Sequence, residues 1–530
     1  MVIKKHWVSV GAYGYLIIPF LIFCLGFLRT IFSIPISIIL CYIFYKLIEK
    51  PEEGTLKLKK NELIFGVLLI VCWVWLSGIG GHAFQNWDFH WRNAVFRDLI
   101  NSNWPVNYTY QVQGGSGPPP VYSLVYYFGY WLPSALVGKL AGWGAAQFAL
   151  VVWTILGVFI STMLLKTYVK TSIVFILLFF VFFSGMDASG AQVIRTFFNP
   201  SHYPSLWPPI QHLEGWTGAF QYSSITTQLF WVFNQAVPVW ICIALHLASP
   251  DPRRCLLLFS LCFFFAPLPA LGFIPFIFLE IPNKTFHPEE LAFNFHDFHF
   301  NSFFKHCWED LKAIISPENL IGGVLVLLIS YAYFSSNPAS SSMGIIFLNI
   351  YSSLIFIIFM LLEWLILWIL IAKKYYLDLN WYLAGIMLII IPFLVIGKGI
   401  NPALRISIPA MFLLMMWCFK AILNPEHVCR PILVTVLIIG ALTPLYEINR
   451  SIYRTFEYYA NPRQSSGQIS QKINDEVNFP FAPEMDHPKT LLADSYITLK
   501  NLKPEQATNF IANIEKSFFQ KYLLKEVPKK

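Results

Sequence analysis

Apolar segments recur along almost the whole chain, and about 20 such residues cross the hydrocarbon core of a bilayer. They lie near 11–28, 30–47, 62–79, 144–165, 171–185, 225–247, 255–268, 270–281, 319–334, 347–371, 381–397, 405–421 and 431–446. That gives about thirteen candidate spans, with the pair 255–281 also readable as one broken hairpin. Inside a bilayer the backbone must satisfy its own polar groups, so spans of this length are helices. Only 12% of the 530 residues are charged, against roughly 25% in soluble domains. Mean hydropathy is +0.57. The expected fold class is an all-α polytopic membrane protein with a small external α/β tail.

Lys and Arg in short loops set orientation. Lys4 and Lys5 precede the first span, and Lys46, Lys50, Lys57, Lys59 and Lys60 lie between the second and third. Lys166, Lys170, Arg253, Arg254, Lys373, Lys374 and Arg430 fall on the same side, provided that 121–140 does not cross. That stretch, Val121 to Pro133, is rich in Tyr and Trp, which favour the membrane interface. The amino terminus then reads cytoplasmic, and the loop after the third span reads external. The expected location is the cytoplasmic membrane. No convincing small-residue cleavage site follows the first span, which reads as uncleaved. The net charge of +8 lies largely in the inner loops and calls for no nucleic-acid partner. The nine cysteines avoid the external segments and show no disulfide framework or paired thiolate spacing.

The expected organisation is 1–79, amino-terminal helices; 80–143, a first external loop with surface helices; 144–446, a helical core containing a second external loop at 186–224; and 447–530, an external tail. An inner loop near 282–318 carries His287, His296, His299 and His306 among phenylalanines, an interfacial pattern. In the tail, Leu491–Leu499 suits a strand, and Phe510, Ile511, Ile514, Phe518 and Leu523 follow a helical period after Pro504.

Chemistry concentrates in the segment Gly80 to Ile100, where acids, bases, amides and tryptophans follow the third span directly. Phe89 to Asn101 suits a surface helix with Trp91, Val95, Phe96 and Leu99 on one face. Asp88 stands at its amino end. There it suits an N-cap, an ion-pair partner for Arg92, or a catalytic base. His90 and Arg92 are candidate substrate contacts beside it. Asn107-Tyr108-Thr109 forms a glycosylation sequon, relevant only in a eukaryotic secretory pathway.

The second loop holds Asp187, Arg195, His202, His212, Glu214, Trp216, Gln221 and Tyr222, and leads into a span with Gln228, Asn234 and Gln235. Amides in a span need protein partners or a wet cavity. A cavity rich in aromatics and amides also suits a sugar, so His212, Glu214, Gln221, Tyr222, Asn234 and Gln235 are candidate pocket residues. His212 and Glu214, with Asp88, are the candidates for a divalent metal. Glu363 suits a snorkelling or cation-paired acid near the inner side. Arg405, in the turn 397–409 between two late spans, is an expensive ionisable group at a helix start. It either snorkels or grips an anion, with Lys398 adding charge.

The order of span, Asp88, surface helix, Trp104-Pro105 turn, Pro118-Pro119-Pro120, aromatic stretch and Gly138-Lys139-Leu140-Ala141-Gly142 resembles the first external loop of GT-C-type membrane glycosyltransferases. These include protein O-mannosyltransferases and bacterial aminoarabinose transferases. The likeness covers about 65 residues, and a group of bacterial envelope proteins has similar loops. The acid here follows the third span, whereas in that family it usually follows the first. The resemblance implies a GT-C-like fold, a polyprenyl-phosphate-linked sugar as donor, and a glycan, lipid or protein acceptor. It implies that Asp88 is the base or positions the acceptor. Lipid phosphate would leave, so cations or a divalent metal are needed where its charge develops. Arg405 is the candidate for that phosphate. A lipid-linked glycan flippase, or an envelope polysaccharide polymerase or ligase, is the alternative.

Overall fold

The computed structural model describes residues 2–109, 120–198, 207–285, 312–337, 343–345, 349–396, 402–460, 499, 509–514 and 517–526. Lys398, His202, the glycines and prolines of 114–119, the inner-loop histidines, Cys307 and most of the expected strand at 491–499 lie outside these residues.

The chain is mainly helical. Helices α1 (Lys5–Phe27), α2 (Thr30–Glu49) and α3 (Lys60–Leu76) come first, then the short α4 (Phe89–Asn101). After them run α5 (Leu132–Val169), α6 (Ile173–Phe182), α7 (Asp187–Phe197), α8 (Ile225–Ala248), α9 (Cys255–Phe265) and α10 (Pro267–Thr285). Later helices include Val324–Phe334, Ile350–Met360, Leu379–Ile390, Ile408–Leu423, Arg430–Gly440 and Leu442–Ala460. Seven helical segments among the described residues are long and apolar enough to cross a membrane: Lys5–Phe27, Thr30–Glu49, Gly129–Val169, Ile173–Phe197, Ile225–Ala248, Ile350–Leu370 and Arg430–Glu457. Shorter apolar helices, such as Leu379–Phe393 and Ile408–Leu423, account for further segments that the sequence counts as spans. Prolines shorten several of them: α10 begins at Pro267, with only Ala266 between it and the end of α9, and Pro392 lies in the last turn after Leu379–Ile390.

The basic loops near the amino terminus meet at one end of the bundle. There strand β1 (Val2–Lys4) pairs antiparallel with β2 (Thr55–Lys57), and Arg254 Nη1 reaches Glu52 Oε1 at 2.9 Å. Lys50 Nζ pairs with the buried Glu318 at 2.9 Å. Asn319 Oδ1 accepts from the backbone N–H groups of Leu256 and Leu257, which satisfies the start of α9. The other end of α1 carries the first loop and the tail. Phe27 stacks on Trp104 at 5.4 Å, and Arg29 donates to the carbonyls of Leu524 and Lys521.

Residues 121–140 do not form a straight span. Strand β4 (Val121–Leu124) sits between β3 (Asn107–Thr109) and β7 (Ile511–Asn513) in an antiparallel sheet. The chain then enters α5, which breaks at Gly142 with φ 85° and ψ −178°. The part before the break lies on α4, where Lys139 Nζ reaches the carbonyls of Ile100 and Ser102 at its end. A second small pairing joins β5 (Met343–Ile345) to β6 (Leu394–Ile396). Two tail expectations change. Ile511–Asn513 is a strand, because β4 offers an unpaired edge, and among the described residues of this segment the helical turn lies at Phe519–Leu523. The last long helix also runs beyond 446 to Ala460, with Glu447, Arg450, Ser451, Arg454 and Thr455 buried.

The Gly142 conformation is open essentially to glycine alone, and nothing lies within 4 Å of where its Cβ would be. Gly142→Ala is therefore expected to destabilise by about 1–3 kcal/mol through backbone strain alone. Gly144→Ala, on the helical side of the break and equally unobstructed, is expected to stabilise by up to about 1 kcal/mol. Thermal unfolding of both variants in the same detergent checks the contrast.

Candidate functional site

Asp88 precedes α4, and its side chain makes no capping bond. Its backbone is already helical, and Asn86 Oδ1 accepts from its N–H at 3.1 Å. The capping alternative therefore falls. Asp88 Oδ2 instead pairs with Arg92 Nη2 at 2.8 Å, one turn along the helix. The Asp88 side chain remains 28% exposed, whereas that of Arg92 is only 6% exposed.

Arg92 lies over the rings of Phe89 and Phe233, 5.5 and 5.4 Å from their centroids. Burial draws its pKa down, and the carboxylate of Asp88 is the chief opposing influence. His90 is buried in the same turn; burial lowers it to about 4, so it is neutral at pH 7. Arg405 comes from the four-residue helical turn Ala403–Ile406. This turn seats against α10, where a Cβ at Gly272 would stand 1.9 Å from the Ile406 carbonyl oxygen. Only a residue without a side chain permits that approach.

The structure brings these distant segments together. Arg92 and Arg405 each feel the charge of Asp88 and the phenols of Tyr126 and Tyr127, whose ring centroids lie 3.8 Å apart, and Arg92 also feels the charge of Arg405. Arg92 Nη1 and Arg405 Nε are buried without a hydrogen-bond partner among the described residues. Two guanidiniums with unused N–H groups and two phenols beside one carboxylate can hold an oxyanion and place a base next to it. Tyr126 and Tyr127 read from sequence as interfacial aromatics. Their electrostatic link to Arg405, and the role of Gly272, carry no local sequence signal.

The second-loop candidates form a separate buried network. Gln221 Nε2 lies 3.0 Å from His212 Nε2 and 3.5 Å from Glu214 Oε2. The other oxygen of Glu214 accepts from the Ser224 N–H at 3.0 Å. His212 Nδ1 is 3.6 Å from Glu447, which also takes the Trp231 Nε1 bond at 2.8 Å and pairs with Arg450 at 3.1 Å. Burial lowers His212, but Glu447 and Glu214 outweigh it and leave its pKa raised. Trp216 Nε1 donates towards both Asp187 at 3.2 Å and Glu363 at 3.1 Å. Glu363 is thus 1% exposed and tied to the second loop, in place of the expected cation or snorkelling.

These side chains stabilise the loop against the bundle, and among the described residues none of them forms a hydrogen bond or ion pair with Asp88. Tyr222 donates to the Leu388 carbonyl at 2.6 Å, a tie between loop and helix that leaves it outside the Asp88 cluster. Gln228 is satisfied by Ser223 and Trp240. Asn234 is fully buried, with both amide atoms unpartnered among the described residues, and Gln235 is buried beside it. The described residues contain no group of three His, Cys, Asp or Glu side chains able to hold a metal. Asp88, His212 and Glu214 accordingly do not converge. Glu447 and Arg450 were missed from sequence because hydropathy ends the span at 446, although their i, i+3 spacing continues the helix.

Comparison with protein-family models, curated proteins and solved structures finds no match to this chain.

Burial, then the charge of Asp187, raises Glu214 to about 7 from the ordinary 4.5. The folded protein therefore holds a proton that the unfolded chain has released, and stability falls as pH rises between about 4.5 and 7. Glu214→Gln keeps the acceptor oxygen but removes this titration. Relative to wild type it is expected to gain up to about 3 kcal/mol by pH 8 and nothing below pH 4.5. Unfolding curves across that range measure the gain.

Proposed function

We propose that this is a membrane glycosyltransferase of the GT-C type, moving a sugar from a polyprenyl-phosphate donor to an envelope acceptor at the outer face of the cytoplasmic membrane. The observation that supports it is the cluster of Asp88, Arg92, Arg405, Tyr126 and Tyr127, in which a partly exposed carboxylate stands among cations with unused donors. The apolar helices around it suit a donor anchored in the bilayer.

In this reading Arg405 and the unpaired edge of Arg92 take the donor phosphate. An acceptor hydroxyl attacks the anomeric carbon, the bond from that carbon to the phosphate oxygen breaks, and configuration inverts. Asp88 accepts the hydroxyl proton, and the leaving polyprenyl phosphate keeps the bonding electrons, its added charge met by the guanidiniums. The Arg92 pair holds the Asp88 carboxylate in one orientation. Tyr126 stays protonated, since burial pushes it well above the usual phenol range, and it serves as a neutral donor.

Cells carrying Asp88→Asn at matched membrane abundance are expected to lose transfer by about 10²–10⁴-fold. Mass spectrometry of envelope glycans and lipid-linked intermediates should show the deletion and Asp88→Asn losing the same sugar while its donor accumulates. A phenotype confined to the deletion would remove Asp88 from the chemistry and favour a transporter. Arg405→Ala is expected to weaken binding of a polyprenyl phosphate by about 10–100-fold, with Arg405→Lys intermediate. Unchanged affinity in purified protein would remove Arg405 from phosphate binding.

A further inference from the structure

The carboxy-terminal segment does not stand apart from the Asp88 cluster. Strand β7 pairs with β4 in the register Tyr122 to Asn513, Ser123 to Ala512 and Leu124 to Ile511. The Val125 N–H continues the ladder to the Phe510 carbonyl at 2.7 Å. Beyond the strand, the chain ties to the end of α1: Arg29 N–H donates to the Leu523 carbonyl at 2.9 Å, and Lys525 N–H to the Phe27 carbonyl at 2.8 Å.

This anchoring places Phe510 between the two sides of the site. Its ring stacks on Trp91 at 5.3 Å and meets Tyr126 at 4.8 Å. Trp91 adjoins Arg92 on α4, and Tyr126 leads directly into Tyr127, whose phenol acts electrostatically on Arg405. Phe510 itself is only 8% exposed. From behind, Tyr333 holds the same loop: its hydroxyl accepts from the Tyr126 N–H at 3.0 Å, and it is 1% exposed. One side of the loop is therefore fixed by the helix bundle and the other by the tail.

We propose that the carboxy-terminal segment is a built-in wall of this site, and that Phe510 is a positioning residue. It fixes the separation between the Asp88–Arg92 helix and the wall formed by Tyr126 and Tyr127. Its consequence for ligand binding rests on the reading that the cluster takes a lipid phosphate. Phe510 touches no reacting atom; it acts by holding Trp91 and Tyr126 at one spacing. Removing its ring lets the two walls relax independently, and the donors no longer converge on one anion.

The test uses the full-length protein in lipid nanodiscs, with ¹⁹F-labelled 3-fluorotyrosine at position 127 and a polyprenyl phosphate as the binding probe. Phe510→Ala is expected to shift or broaden the ¹⁹F resonance and weaken binding about three- to tenfold, the range set by loss of an aromatic contact. Phe510→Trp should restore both, and Phe518→Ala, at a 67% exposed ring on the same segment, should change neither. An unchanged resonance and affinity in Phe510→Ala would overturn the proposal. So would a loss of thermal stability that Phe510→Trp rescues while the resonance and affinity stay unrestored, since that describes a structural role only. If Phe510→Ala moves the resonance but wild-type protein does not bind the polyprenyl phosphate, the wall stands and the lipid-phosphate reading fails.

Discussion

Helix α8 must satisfy its polar side chains in a bundle that almost wholly encloses it, and the surrounding architecture follows from how it does so. Its amides are buried, an unpaired polar group in an apolar setting is costly, and all of them but Asn234 and Gln235 are seen bonded among the described residues. Gln228 is bonded by Trp240 from within the helix and by the carbonyl of Ser223 before it. Trp231 reaches Glu447 on the last helix, and the Phe230 carbonyl takes the amide of Asn86 from the first loop at 2.8 Å. The backbone departs from helical values at Val232, and Pro238 further along removes the hydrogen bond to the Asn234 carbonyl. This break lets neighbouring residues face different groups: Trp231 serves the second-loop network, and Phe233 underlies Arg92.

The two polar clusters that α8 separates differ physically. The Asp88 cluster is partly open, richer in cations than in anions, and retains unused donors. The second-loop network is closed, and most of its acids are bonded to Trp216, Trp231, Gln221 or Arg450. A buried network of this kind adds modest net stability, but breaking one member leaves its partners unpaired. It therefore suits a fixed clamp between the loop and the bundle. The Asp88 cluster, with cations short of partners, suits an anionic ligand.

The carboxy-terminal segment completes the first cluster by strand addition. Strand pairing supplies directional hydrogen bonds at a fixed register, and the register decides which side chain meets Tyr126. A one-residue slip would turn Phe510 away from the cluster. The second anchorage at Arg29 and Phe27 restrains the same segment from its far side.

The sequence by itself determined the membrane character, the predominantly helical class and the helix over Phe89–Asn101, though not its place, since nearly all of that helix is buried in the protein and does not lie on a surface. These are legible because hydropathy, turn residues and charge cost act over windows of a few to about twenty residues. Tertiary structure alone decided that Asp88 is an ion-pair partner and not a cap, since Arg92 is buried over two rings and needs its charge answered. It decided that His212 and Glu214 belong to a separate network, because Glu447 and Arg450 approach them from a helix that hydropathy ends too early. It also turned Ile511–Asn513 into a strand, against its helical period, because an open edge at β4 was there to be paired. Each of these outcomes depends on a partner far along the chain, and local sequence holds no record of which distant group will be the neighbour.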